Sequence, residues 1–176
     1  MELEYVPYMD RVRNYYRQQG FENAYRWAHH SDAAFAPLNK PLAQSRVALI
    51  STAGFAVAPE GGYSEEELRL ARGGGSNTGS YEVEVFPVSS DIAEERIVYV
   101  KGNHDRSQSE MADPNSFFPV ARLREFRDEG RLGSLATNFY RLKENYSQRK
   151  SSEIDAPEVL RLCREDGVDV AVLTPV

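Results

Sequence analysis

Apolar residues form two nearly continuous runs in this chain, one in its first third and one at its end. Residues 46–52 carry Val, Ala, Leu and Ile in succession before small hydroxyl residues, and residues 168–173 are similar. Such runs are typical of strands buried on both faces of a parallel sheet. Alternation at period two predicts a half-exposed edge strand at 81–86, and a further short strand is predicted at 96–100.

Helical spacing of apolar residues separates these strands. Ser64 followed by Glu67 has the pattern of a capping box, which predicts a short helix within residues 58–80. Apolar positions three and four residues apart predict a helix near 119–129, and Gly130 is placed to end it.

The last helix has the clearest local signals. Asp155 stands before Pro157 with Glu158 at the capping-box position, so a helix is predicted to begin there and to end at Gly167. The apolar run at 168–173 follows at once, as in one half of a βαβ unit. The predicted fold class is therefore α/β, with an open, mostly parallel, three-layer sheet of the Rossmann-like or flavodoxin-like kind.

The first part of the chain differs from this pattern because it is helical and rich in aromatic residues. Two short helices are predicted in the first thirty residues, separated at Gly20. The aromatic residues of this stretch are Tyr5, Tyr8, Tyr15, Tyr16, Phe21, Tyr25 and Trp27. Each aromatic ring removes about 150–250 Å² from water when buried, so this arm is predicted to pack on a body or on a partner. We predict a helical arm at 1–34 and an α/β domain at 35–176.

Composition narrows the possible functions. The 176 residues contain 21 Lys and Arg against 27 Asp and Glu, a net charge of −6, which argues against a nucleic-acid-binding surface. The N-terminus lacks the pattern of a signal peptide, and no apolar stretch approaches the roughly 20 residues that span a bilayer. The single cysteine, Cys163, lies on the expected buried face of its helix, so we expect an inert thiol, no disulfide and a cytoplasmic protein.

Candidate chemistry lies where the strands end, because ligands of open α/β sheets bind beyond the carboxyl ends of the strands. The residues predicted to bind substrate there are Thr52, Ala53, Gly54 and Thr174. Small residues at a strand exit let backbone N–H groups approach a carboxylate closely. The alternative is that these hydroxyls are ordinary turn formers and caps.

His104 and Asp105 are the candidate catalytic residues, in the loop after the strand at 96–100. A neighbouring carboxylate can orient an imidazole and raise its pKa, which suits acid–base work near neutral pH. The alternative is a polar loop whose side chains bond to their own backbone. No metal site is predicted, since His29 and His30 are adjacent and point in different directions on a helix.

Several segments in the same order resemble the selenoprotein B family of glycine, sarcosine, betaine and D-proline reductases. The most extended are PLNKPL at 37–42 leading into SRVALISTAG at 45–54, DPNSFFPVARLRE at 113–125, and VDVAVLTPV at 168–176. The shorter ones are GSY at 79–81 running to FP at 86–87, His104-Asp105, and EGRLGSLA at 129–136. The resemblance covers about residues 35–176.

The resemblance implies a reductase subunit that takes part in reductive cleavage of a carbon–nitrogen bond. In that family a selenocysteine or cysteine follows the last strand and attacks an amino acid held on a partner's pyruvoyl group. Here residue 176 is the last, so the expectation is a chain that ends before this nucleophile and holds no cofactor itself. Expected partners are a small carboxylate or amino-acid-like substrate and other reductase subunits, or a second copy through the arm, without nucleic acid or membrane.

Two other functions remain open at this point. The chain could be a non-catalytic small-molecule-binding or partner subunit with the same fold. It could also be an enzyme that acts through His104 and Asp105 alone.

Overall fold

A computed structural model describes most of the chain. The described residues are 8–23, 31–32, 36–73, 82–101, 111–143, 145 and 147–176. The chain divides into two units, residues 1–36 and residues 37–176.

The larger unit contains all seven strands and the later helices of the described chain. The strands are β1 Arg46–Ser51, β2 Gly54–Val57, β3 Val85–Ser89, β4 Ile97–Lys101, β5 Ser134–Leu135, β6 Asn138–Leu142 and β7 Val170–Thr174. The helices are α1 Tyr8–Gln18 in the smaller unit, then α2 Glu65–Gly73, α3 Val120–Asp128, α4 Gln148–Lys150 and α5 Ala156–Glu165. A π-helical turn, Ser151–Asp155, joins α4 to α5, and 3₁₀ turns lie at Leu42–Gln44, Glu94–Arg96 and Pro114–Ser116.

Strand β1 is the centre of a mostly parallel sheet. It pairs in parallel with β7 along its length and, on its other side, with β5 near its start and β6 near its end. Strand β3 completes the sheet at the outer edge of β6 and runs antiparallel. All residues of β1 after Arg46 are buried, as the apolar run predicts. The prediction of a mixed α/β fold with a mostly parallel sheet is confirmed.

Two of the predicted strands differ from their expected places. The strand expected at 96–100 is β4, but it pairs antiparallel with β2 in a separate two-stranded sheet. Its Tyr99 packs on Phe117, with ring centroids 5.4 Å apart, so its apolar residues belong to a second layer rather than to the parallel sheet. The edge strand expected at 81–86 begins only at Val85. Pro87 lies inside it, which an edge strand tolerates because one side needs no donors.

Strand β6 has no counterpart among the strands predicted from sequence. Phe139 and Tyr140 are both buried, so this strand is covered on its two faces. Polar residues flank the pair on both sides and interrupt the apolar pattern, leaving too short a run for periodicity to detect.

Helix α2 begins with the predicted capping box. The Glu67 carboxylate accepts hydrogen bonds from the Ser64 N–H at 2.8 Å and from its hydroxyl at 2.7 Å. In return, the Glu67 N–H donates to the Ser64 hydroxyl oxygen at 3.3 Å. Both prediction and structure end α3 next to Gly130, whose φ of +73° is the left-handed conformation expected after a helix.

The last helix begins where the sequence predicts, at Ala156, but Asp155 does not cap it. Asp155 has helical backbone angles and makes no capping hydrogen bond. The helical path begins earlier, where the Ser147 hydroxyl caps the N–H of Lys150 at 3.2 Å. Pro157 has no N–H to donate to the carbonyl four residues back, and the π-helical turn precedes it at this weak point of the helix. Asp155 is instead buried inside the unit.

The core of the larger unit combines aromatic and aliphatic side chains. Phe55 and Phe118 have centroids 4.7 Å apart, and Phe118 meets Phe139 edge-on at 6.0 Å. Val159 and Cys163 of α5 are buried in the same core. This arrangement surrounds β1 with apolar contacts and leaves the carboxyl ends of the sheet strands as its polar edge.

The smaller unit contains helix α1, which is followed by Gly20 with a φ of +89°. Tyr16 contacts Tyr15 and Phe21 edge-on, with centroids 5.5 and 6.0 Å apart, and all three rings are more than half exposed. The second predicted helix of the arm falls mainly on residues 24–30, outside the described residues. Among the helices of the described residues, none has both the length and the apolar character needed to cross a lipid bilayer.

Candidate functional site

The carboxyl ends of β1, β6 and β7 meet at one edge of the sheet. Ser51 of β1 is in register with Arg141 of β6 on one side and with Thr174 of β7 on the other. Phe86 of β3 is in turn opposite Arg141, so four strands contribute one residue each to a single row. We call Phe86, Arg141, Ser51 and Thr174 the edge row.

Thr52 and Thr174, which were predicted to bind substrate, are brought together by the structure. The Thr52 N–H donates to the carbonyl of Thr174 at 3.3 Å, and the Thr52 hydroxyl oxygen accepts from the N–H of Val176 at 3.0 Å. The Thr174 hydroxyl donates to the carbonyl of Ile50 at 3.2 Å. These groups join β1 to β7, which is the role of ordinary strand-end hydroxyls. Their contact with a substrate stays a prediction.

Ala53 lies between β1 and β2, and Gly54 is the first residue of β2. The Ala53 N–H donates to the Ser51 hydroxyl at 3.1 Å, and this hydroxyl donates to the carbonyl of Phe117 at 2.7 Å. Gly54 pairs with Lys101, the last residue of β4. The amide of Ala53 is thus oriented by the protein itself.

His104 and Asp105 lie in residues 102–110, outside the described residues. Their predicted roles stay predictions. Lys101, the last described residue before them, pairs with Gly54 at the start of β2.

Arg141 is the residue of this edge that sequence reasoning missed. Its guanidinium carbon lies 4.4 Å from the centroid of the Phe86 ring and 5.8 Å from that of Phe55, both within the range of cation–π contacts. Partial burial lowers the pKa of this guanidinium, and the charge of Glu84 opposes the shift. Within the described residues, the guanidinium of Arg141 makes neither a hydrogen bond nor an ion pair.

The nearby carboxylates are already neutralised by lysines. Glu84 accepts from Lys143 at 2.6 Å and lies 3.4 Å from the ammonium of Lys150. The hydrogen bond from Lys143 is the main reason that the pKa of Glu84 is lowered, against the opposing effect of burial. Asp155 accepts from Lys150 through both oxygens at 2.8 Å. The carboxylates of Glu84 and Asp155 are thus neutralised by the two lysines, and neither is available to neutralise Arg141.

Cys163 is not placed to act as a nucleophile. It is 7% exposed within the core, and burial, helped by the negative charge of Asp166, raises the pKa of its thiol. A raised pKa keeps the thiol protonated at neutral pH, whereas the thiolate is the reactive form. The prediction that Cys163 lies in the core is confirmed.

The described residues contain no group of three or more His, Cys, Asp or Glu side chains that could hold a metal ion together. The described hydroxyls and amides at the edge bond within the protein, whereas the Arg141 guanidinium is suited to binding a small anion.

The sequence contained one signal for Arg141 that was overlooked. An arginine directly after two buried aromatic residues, Phe139 and Tyr140, is unusual because an isolated charge inside a buried strand is costly. Recognising β6 as a strand is the step needed to use that signal.

Comparison with known proteins identifies relatives over most of the chain. Residues 12–176 match the family described as glycine/sarcosine/betaine reductase selenoprotein B. The chain is 27% identical over 141 residues to the D-proline reductase subunit gamma of Acetoanaerobium sticklandii, covering 80% of this chain and 52% of that protein. It is 27% identical over 135 residues to the glycine reductase complex component B subunit gamma of Peptoclostridium acidaminophilum, covering 77% of this chain and 28% of that protein.

The chain thus spans about half the length of one of these relatives and about a quarter of the other. No solved structure matches it. The family match extends over both the edge row and the core that supports it, and it agrees with the resemblance of the sequence segments. The chain therefore belongs to the glycine/sarcosine/betaine reductase selenoprotein B family.

Proposed function

We propose that this chain is a subunit of a reductase complex that binds a small amino-acid-like carboxylate and takes part in reductive cleavage of its C–N bond. The family match over residues 12–176 is the observation that carries the proposal. The names of the two relatives, subunits of a D-proline reductase and of a glycine reductase complex, support it. We place the complex in the cytoplasm, where reducing conditions favour thiol chemistry.

The reaction exchanges a C–N bond for a C–H bond. A substrate R–NH₃⁺ takes up two electrons and two protons and yields R–H and ammonium, while a dithiol reductant is oxidised to a disulfide. Cys163 is buried and its thiol is kept protonated, so we propose that the selenol or thiol nucleophile comes from outside residues 1–176.

The sheet edge supplies the binding part of this chemistry. We propose a three-layer fold of the Rossmann-like or flavodoxin-like kind in which substrate lies beyond the carboxyl ends of β1 and β7, near Thr52, Gly54 and Thr174. His104 and Asp105 would exchange protons with the substrate or its leaving amine. The pyruvoyl group implied by the family resemblance would belong to a partner subunit and would supply an electrophilic carbonyl for a substrate amine.

The test is reconstitution. The tagged chain is incubated with extract of its source cell, recovered, and assayed with dithiothreitol for ammonia or amine release from glycine, sarcosine, betaine and D-proline. We expect recovery of reductase subunits and release that falls when this chain is depleted and returns when it is added back.

Two other outcomes would contradict the proposal in different ways. If partner subunits are recovered but ammonia or amine release does not change when this chain is depleted, the chain is a non-catalytic partner subunit. Recovery of the chain alone, with release also unaffected, removes both the assembly and the reductase role.

A further inference from the structure

Arg141 carries a positive charge that the described protein does not neutralise. A guanidinium is protonated at every physiological pH, so burial cannot remove its charge as it can for a lysine. Glu84 is the carboxylate whose charge acts on Arg141 in the described chain, yet its oxygens are engaged by Lys143 and Lys150. Partial burial of an unpaired charge is unfavourable unless an opposite charge or a hydrogen-bond acceptor contacts it.

Aromatic rings contact the guanidinium of Arg141 but supply neither an opposite charge nor an oxygen acceptor. The guanidinium carbon lies 4.4 Å from the centroid of the exposed Phe86 ring and 5.8 Å from that of Phe55, which is 1% exposed. Neither ring offers the oxygen acceptor that the guanidinium N–H groups would bind, so these donors are available to a ligand. Those donors have the geometry that binds a carboxylate through two parallel hydrogen bonds.

The position of Arg141 along the sheet is the third observation that favours an anion site. Arg141 is in register with Ser51, at the carboxyl end of the central strand, where ligands of open α/β sheets bind. The donors of Thr52, Ala53 and Thr174 at this edge are already used inside the protein. Arg141 is therefore the strongest anion-binding group that the described edge offers.

We propose that Arg141 is the residue that binds the carboxylate of a small organic acid at the carboxyl edge of the sheet, with Phe86 and Phe55 orienting its guanidinium. This inference rests on the proposed function for the choice of a carboxylate ligand. It assigns the anion contact to β6 rather than to the strand-end hydroxyls of β1 and β7.

The test uses sodium acetate as the probe and the isolated 176-residue chain. Arginine Nε–H signals are recorded by NMR during titration with acetate, and with sodium chloride and ethylamine hydrochloride at matched ionic strength. The Arg141 signal is expected to shift saturably with acetate and not with the other two salts. An Arg141 signal that responds to acetate and chloride alike would overturn the proposal without any variant being made.

Variants then separate charge from geometry. Arg141→Met is expected to abolish the saturable response of the Ser51 and Phe86 amides, and Arg141→Lys to weaken acetate binding about tenfold by losing the paired donors. Arg122→Met is the matched control, because Arg122 is an exposed arginine paired with Glu125 on α3. Equal acetate affinity in wild type and Arg141→Lys would contradict the two-donor contact, and equal affinity in Arg141→Met would remove Arg141 from the site.

Failure of this proposal is distinguishable from failure of the proposed function. Saturable acetate binding at Arg141 in a chain that neither joins a reductase nor affects amine release leaves the anion site and removes the reductase role. If a reconstituted reductase depends on this chain but the Arg141 signal does not respond to acetate, the reductase role stands and the anion site is removed.

Discussion

Lys150 and Asp155 form an ion pair in which each residue is almost fully buried, at 2% and 1% exposure. The ammonium of Lys150 donates to both carboxylate oxygens at 2.8 Å, and Glu84 lies 3.4 Å away as a second acceptor. Removing Asp155 leaves the buried ammonium of Lys150 with only the more distant Glu84, which is far more costly than the net stabilisation by the pair. The pair also joins α4 to the start of α5 across the π-helical turn.

Asp155→Ala is therefore expected to lower the free energy of unfolding by about 3–5 kcal/mol. The double variant Lys150→Met/Asp155→Leu should recover most of that loss because no charge remains buried. Urea unfolding followed by circular dichroism measures both. Arg122→Ala, which removes the exposed ion pair with Glu125, is the control and should change stability by about 1 kcal/mol or less. A similar loss for the control and for Asp155→Ala would contradict the burial argument.

Gly133 is required for a different reason, the close approach of two backbones. A Cβ atom added here would lie 2.5 Å from the carbonyl carbon of Gln44 and 2.8 Å from the N of Ser45. The Gly133 N–H also donates to the carbonyls of Leu42 and Ser45 at 3.0 and 3.1 Å, which holds the segment before β1 against the start of β5.

Gly133→Ala is expected to destabilise the protein by about 1–3 kcal/mol, since backbone atoms must move to admit the methyl group. Thermal unfolding monitored by circular dichroism is the measurement. Gly61→Ala serves as a comparison because its φ is +97° but nothing lies within 4 Å of the added atom, so only backbone strain is introduced. If Gly133→Ala were as stable as wild type, the close approach seen in the structure would be wrong.

Asp166 connects three elements at the end of the sheet opposite the candidate site. It accepts from Arg46 of β1 at 2.6 Å and from the hydroxyl of Thr137, between β5 and β6, at 3.0 Å. Partial burial alone would raise the pKa of this carboxyl, but the hydrogen bonds from Arg46 and Thr137 outweigh it and lower the pKa. The C-terminus of α5 is thereby held against the amino ends of the strands.

This lowered pKa predicts a loss of stability in acid. The unfolded chain, with an ordinary aspartate pKa of about 3.9, binds a proton more readily than the native state. The contribution of Asp166 is thus present above about pH 4 and is lost as pH falls through its native pKa. Asp166→Asn should be less stable than wild type at pH 7 and should approach it at pH 3, as urea midpoints would show. The control Asp128→Asn, at an exposed ion pair, should change in stability with pH as wild type does. A stability difference between Asp166→Asn and wild type that is the same at pH 3 and pH 7 would contradict this pH dependence.

The same elements show what the sequence can and cannot determine. Strand β1 and helix α2 were predictable because their signals are local, an unbroken apolar run and a capping box. The start of α5 was predictable too, but the role of Asp155 was not, because its carboxylate binds a buried lysine five residues earlier instead of capping the helix. Strand β6 and with it Arg141 escaped detection because two buried aromatics between polar residues have no readable period.

At the scale of the molecule, the described core lies wholly in the larger unit. Every buried hydrophobic residue of the described chain falls after residue 44, whereas Tyr15, Tyr16 and Phe21 of the smaller unit are 57%, 51% and 61% exposed. Exposed aromatic rings in such density are typical of surfaces that bind other proteins. We propose that the arm serves assembly, with another reductase subunit or with a second copy, rather than folding.

Removal of residues 1–36 is therefore expected to leave the remaining chain folded, with a free energy of unfolding within about 1 kcal/mol of the full chain, since the described core is unchanged. The acetate response of Arg141 should also persist. Recovery of partner subunits, or self-association measured by sedimentation, should instead fall by tenfold or more, as expected for loss of about 2 kcal/mol of binding from buried aromatic side chains. Tyr15→Ser/Phe21→Ser in the full chain should reproduce the assembly defect without loss of stability. Unfolding of the shortened chain would show that the arm belongs to the fold, and intact assembly in both variants would remove its proposed role.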